Sequence, residues 1–166
     1  MSAIVDGLLF SWKKNSDYAA RLVSDLSDEQ MMLQPAPEGK SPANHPAWIF
    51  SHLNIYLPVI TSIIKGETFE DPKSNRFGMD SKPEADSAIY AGKDTLINEF
   101  VSEHEAIAKL LENAGPECLE NEIVLERWKA LFPTAAVALP YLMLLHENLH
   151  LGQLSAWRRI QGMPSV

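Results

Sequence analysis

Four stretches of this chain carry apolar residues at the three-to-four spacing of a single helical face, and together they predict an all-α fold. Ile4 to Leu26 is the first: Ile4, Leu8, Leu9, Trp12, Ala19, Leu22 and Val23 share one face, with Lys13, Lys14, Asp17 and Asp25 on the other. The segments are also punctuated as helices are, with Pro35 and Pro37, Gly115-Pro116 and Gly162 followed by Pro164 as stops. Finally, the connection from Gly66 to about Gly92 is long enough to cross the end of a bundle and let neighbouring helices run parallel.

Composition bounds the function. At 166 residues and 46% hydrophobic content the chain is expected to form one domain over 1–166 with a real core. A net charge of −8 argues against a nucleic-acid partner, which would want a basic face. Cys118 is the sole cysteine, so no intrachain disulfide forms, and no apolar h-region flanked by basic residues opens the sequence. The uninterrupted apolar run Ala135 to Leu145 is shorter than the roughly 20 residues that span a bilayer. A cytoplasmic protein without a membrane partner is expected.

After the first helix, Ser27-Asp28-Glu29-Gln30 reads as a capping box, so a short helix to Leu33 follows before the Pro/Gly-rich loop 34–42. Asn44 or Ser41 can cap the second helix, His45 to Ile64, and Pro46 is tolerated in a first turn whose N–H groups have no partner anyway. Asp94 or Thr95 starts the third helix, with Leu96, Phe100, Ile107, Leu110 and Leu111 inward. The connection Glu117 to Pro133 holds a short helix around Cys118 to Glu122 and apolar anchors at Leu125, Trp128, Leu131 and Phe132. Thr134 can cap the last helix, where Pro140 removes a backbone bond and should kink or offset the first turns.

That last helix carries the chemistry. His146 and His150, four residues apart, project from one face and can chelate one divalent ion with little backbone rearrangement. The stretch reads literally as H-E-x-x-H, in which Glu147 would act as general base. Zinc proteases of that pattern draw a third ligand from further along the chain, and no carboxylate or histidine follows His150. A third ligand must therefore lie upstream. His45 and His52 are separated by seven residues of helix, roughly 10 Å, so only one can reach the same ion. His45, at the helix start, suits the backbone or the cavity mouth, which favours His52 as the ligand. His104, between Glu103 and Glu105, reads as a solvated or rim residue outside the site.

Trp48-Ile49-Phe50-Ser51-His52-Leu53, the Arg76-Phe77-Gly78 turn, and His146-x-x-x-His150-x-Gly152-Gln153 with Arg158-Arg159 together resemble the DinB/YfiT-like superfamily over nearly the whole chain. The resemblance implies a four-helix bundle with up-down-down-up topology. It also implies one divalent metal ion, zinc or nickel, held by His52, His146 and His150. Arg158 and Arg159 are expected to answer the acidic surface and the helix C-terminus. Three neutral imidazoles leave an ion its full charge and an open position, the layout of a catalytic site. Such an ion can lower the pKa of water or hold a small thiol as thiolate. Relatives in the superfamily include enzymes using low-molecular-weight thiols, so the leading expectation is a thiol S-transferase-like activity on a small-molecule substrate. Metal-dependent hydrolysis with Glu147 as the catalytic base, and a stress-related metal-binding bundle without turnover, are the alternatives; a homodimer is the expected assembly.

Overall fold

A computed structural model of the chain describes residues 2–35 and 43–166. Among these, all regular structure is helical, and the one strand-like pairing is an isolated antiparallel bridge between Glu122 and Thr134. The first helix, α1, spans Ala3–Val23, begins on the Ser2 hydroxyl and buries Leu8, Trp12, Asn15, Ala19 and Leu22 along one face. A short α2, Asp28–Met31, follows with the capping box formed: the Ser27 side chain accepts from Gln30 N, and Gln30 Oε1 accepts from Ser27 N.

The second predicted helix is two helices. α3 covers Pro46–Asn54 and α4 covers Leu57–Lys65, with a break at Ile55–Tyr56. Its cap is not Asn44. His45 takes the position, its Nδ1 accepting from Trp48 N at 3.1 Å, while Asn44 donates to Gln153 and Ser41 lies outside the described residues. Pro46–Lys65 is long and apolar enough, by length and composition, to cross a membrane. In this protein 78% of that window is buried, so the stretch serves as core. Gly66, at φ 68, ends α4 in the left-handed conformation that glycine adopts at little cost.

The long connection carries two 3-10 turns, Pro72–Ser74 and Ser87–Ile89, before α5 at Lys93–Ala114. The next connection holds a 3-10 turn, Pro116–Glu120, where a helix around Cys118 was expected, then α6, Glu126–Lys129. Its Trp128 is buried, but Leu131 is 63% exposed and anchors nothing. The last predicted helix divides into α7, Ala135–Pro140, a π-helical segment, Tyr141–His146, and α8, Glu147–Ile160. Thr134 stands at the start of α7 without capping it through its side chain.

The elements pack around one set of buried residues. α5 is the hub, lying against α1, α3 and α4, and α8 with the π segment closes onto α1. Trp12, Phe50, Phe100, Leu139 and Trp157 fill the interior, Phe50 meeting Phe100 edge to face at 5.3 Å. Arg158 belongs to this interior and corrects the surface role expected of it. It is 1% exposed, donates to the Leu22 and Pro164 carbonyls and pairs with Asp25, tying α8 to the end of α1; Arg159 stays exposed.

Candidate metal centre

Pro140 sets the site's geometry. Its ring removes a donor and displaces the carbonyl one turn earlier, and the following six residues widen from α to π geometry. Widened turns leave carbonyls in need of partners. Asn15, from α1, donates to the Met143 carbonyl at 3.2 Å, and Asn148 donates to that of Leu144 at 2.8 Å. His146 is the last residue of the π segment and His150 stands one turn further on in α8. His52 approaches from α3, so ligand atoms of the three imidazoles all lie within 4.8 Å of one another.

His52 is oriented from behind. Its Nδ1 lies 2.6 Å from the Phe77 carbonyl, which can only accept, so Nδ1 carries the proton and neutral His52 presents the Nε2 lone pair. The Arg76-Phe77-Gly78 turn is therefore structural support for the ligand. A Cβ on Gly78 would sit 2.3 Å from the Pro72 carbonyl, so only glycine fits there. Trp48 stacks on the His52 ring at 4.8 Å, and the Tyr56 ring packs 4.6 Å from that of His146.

The cluster fits a divalent ion on three counts. His52 Nε2 and His146 Nε2 face each other at 3.0 Å, near the roughly 3.3 Å that separates two tetrahedral ligands at bonds of 2.0–2.1 Å. His150 Nδ1 is buried without a hydrogen-bond partner. All three rings are held neutral. Burial, then the neighbouring His150 and His52, pushes His146 down to about 3; burial and His52 push His150 down to about 4; burial also lowers His52. Metal coordination requires such neutral imidazoles.

The remaining histidines are engaged elsewhere. His45 caps α3 as described and reaches the Glu84 carbonyl with Nε2, fully buried against Tyr90. His104 corrects the solvated position expected of it: it is 2% exposed and stacked on Trp12 at 3.7 Å. Its Nδ1 donates to the Phe100 carbonyl and its Nε2 lies 2.9 Å from Glu147 Oε2. Glu147, 3% exposed, thus has its carboxyl on His104, with Oε1 lacking a partner, and burial raises its pKa.

Two supporting residues escaped the sequence reading. Asn15 was signalled by being polar at an inward position between Trp12 and Ala19. The Phe77 carbonyl, a main-chain group in a loop, had no side-chain signal of its own.

A chain whose described regular structure is helical, and which brings three neutral imidazoles from α3, the π segment and α8 to within 4.8 Å of one another, belongs to the class of helical proteins able to hold a divalent ion. Its sequence matches the DinB superfamily over residues 12–154, and the chain belongs to that superfamily. No curated protein matches it.

Proposed function

We propose that His52, His146 and His150 hold one divalent ion, zinc or nickel, and that the protein is a thiol S-transferase-like enzyme acting on a small electrophilic substrate. The observation that carries this reading is the face-to-face approach of His52 Nε2 and His146 Nε2, with His52 fixed from behind by the Phe77 carbonyl. Two lone pairs so placed repel unless a proton or a cation lies between them. The ion would supply Lewis acidity, lowering the pKa of a bound thiol. The chain's residues do the rest: the imidazoles leave the ion its charge, and Trp48 and Tyr56 wall the imidazoles with aromatic surface.

The thiol comes from outside. Cys118 is buried, donates to the Gly115 carbonyl, and has its pKa raised by that burial, so it is a poor nucleophile. Hydrolysis with Glu147 as base draws no support from a carboxyl bonded to buried His104. In the same reading, the helical bodies 3–23, 46–65, 93–114 and 135–160 form the superfamily's up-down-down-up four-helix bundle as one domain, with residues 66–92 as the crossover. The protein acts in the cytoplasm without nucleic-acid or membrane partners. A second copy of the chain is the expected partner, and the exposed stripe Val137, Tyr141, Leu145 and Leu149 is the face offered to it.

The test is consumption of a model electrophile, chlorodinitrobenzene, by zinc- or nickel-loaded protein with each of a panel of small thiols. Thiol-dependent turnover lost in His52→Ala supports the proposal. Turnover of an ester without thiol, abolished in Glu147→Gln, would replace it with hydrolysis, and tight metal binding without turnover of either would leave a binding protein.

A further inference from the structure

Three hydrogen bonds join one face of α3 to the 66–92 connection, and they run in opposite order along the two segments. His45 Nε2 reaches the Glu84 carbonyl at 3.3 Å, Trp48 Nε1 donates to Ser81 Oγ at 3.2 Å, and His52 Nδ1 donates to the Phe77 carbonyl at 2.6 Å. Spacings of three and then four residues keep these side chains on one side of the helix. The connection is therefore fastened at three points, the innermost on a candidate metal ligand and the outermost on His45, at the N-cap of α3.

The outermost fastening depends on the absence of one proton. The Trp48 N–H can only donate, so His45 Nδ1, 3.1 Å away, must be the bare nitrogen; the Glu84 carbonyl can only accept, so Nε2 carries the hydrogen. One neutral tautomer fills both roles. A second proton would have to sit on Nδ1, where it would point at the Trp48 N–H. The imidazolium would also be fully buried at the positive end of α3. Among the described residues no counter-ion stands against the ring. Glu84 turns its carboxylate to Arg76, Tyr90 meets the ring edge-on at 4.9 Å as a neutral phenol and accepts the Glu84 N–H, and α2 brings only the Met31 carbonyl. Burial accordingly holds the His45 pKa below its ordinary value.

We propose that His45 is an acid-released catch: protonation drives its ring out of the α3 N-terminus, breaking the bonds to the Trp48 N–H and the Glu84 carbonyl together and freeing the connection to lift from α3 at its Glu84 end. The next fastening is then a single neutral bond, from Trp48 to the Ser81 hydroxyl. Lifting residues 79–84 would bare Trp48, whose ring stacks on His52 at 4.8 Å, and so widen the approach to the three histidines. That consequence rests on the metal reading. The catch itself does not, since it needs only a neutral His45 and the two groups it bonds.

The experiment is amide hydrogen exchange on the full chain, read by NMR between pH 7 and 5 and expressed as protection, so that each amide's intrinsic rate cancels. In the wild type the protection of the Trp48 and Glu84 amides should fall by about 5–25-fold, as expected when an imidazole that titrates near 6.5 in the opened form is held neutral in the closed one. His45→Asn supplies a side chain that caps the helix without titrating, so its protection at the same amides should change less than about twofold. The wild-type His45 ring, followed through its own nitrogen signals, should carry its hydrogen on Nε2 at pH 7 and take up the second proton only below pH 6.5. That measurement decides the matter even if the variant does not fold. Constant protection in the wild type, an equal fall in His45→Asn, a hydrogen on Nδ1 at pH 7, or protonation at or above pH 6.5 would each overturn the proposal.

Discussion

Replacing Asn15 by alanine should loosen the metal centre without touching a ligand. The side chain is 8% exposed and donates to the Met143 carbonyl across the α1–π interface. Without it a carbonyl of a widened turn has lost its partner, at a cost of about 1–3 kcal/mol. For a chain of this size that is a fall in melting temperature of roughly 2–12 °C. The stability loss alone would not test the idea, because any core change destabilises. The distinguishing quantity is metal affinity, since Met143 lies three residues before His146 in the segment that aims it. Affinity should fall about tenfold, the low end for groups that position a ligand without binding the ion. Ile107→Val, buried on α5, costs about 0.5–1.5 kcal/mol and serves as control: it should lower the melting point and leave affinity alone. Zinc titration by competition with a chromophoric chelator reads both variants. If Asn15→Ala melts early yet binds zinc as tightly as wild type, the π segment holds its shape without Asn15 and the reasoning fails.

Other outcomes follow from the same geometry. His52→Ala, His146→Ala and His150→Ala should each abolish stoichiometric metal binding, measured by elemental analysis, whereas His45→Ala should keep the ion and lose about 0.5–2 kcal/mol of stability with its cap. Unperturbed imidazoles would release metal steeply below pH 6.5, but burial and crowding have already moved His146 to about 3 and His150 to about 4, so protons compete later. Affinity should change less than about tenfold between pH 7 and 5.5; a fall of a hundredfold or more per unit starting at 6.5 would contradict the neutral, preformed cluster. Glu147 is expected to titrate in the opposite sense to a surface carboxylate. Its folded pKa is raised above 4.5, so the folded state keeps a proton that the unfolded state gives up, and the stability it contributes below pH 4.5 is lost as pH rises toward the folded value. Glu147→Gln lacks that loss and should gain on wild type by up to about 1.4 kcal/mol per pH unit above 4.5 in urea melts. A constant difference across pH 4 to 7 would mean that Glu147 titrates normally.

The residues that were legible in the sequence are those whose environment is set by their own helix. Two histidines four apart share a face in any α-helix, and His52 among Trp48, Phe50 and Leu53 could only be inward, so the triad could be named before its members were placed. His104 was misread because its charged neighbours were weighed above its period: Phe100, His104, Ile107 and Leu111 share the buried face, and Glu103 and Glu105 simply flank it. Arg158 was misread for a related reason, since a guanidinium can enter an interior when it finds acceptors there, and besides nearby Pro164 those are Leu22 and Asp25 at the other end of the sequence. Prolines mark both interruptions, Pro58 in the first turn of α4 and Pro140 before the π segment, but whether a proline kinks, breaks or widens its helix depends on packing that a propensity pattern does not encode.

The π segment has a consequence for how this chain can tolerate change in length. Relative to a continuous α-helix, a π turn accommodates one residue of surplus chain. Deleting one residue between Tyr141 and Leu145 would let the helix close into ordinary turns, which on propensity alone is no hardship. His146 and His150 would still stand four apart and still face one way. They would face nearly the same way relative to α7 as they do now, because the widened turn only takes up the extra residue and five α-helical residues turn through about the angle of six π-helical ones. The smallest possible deletion would thus remove the widened turn, and with it the carbonyl that Asn15 answers, while sparing the meeting of the pair with the third histidine.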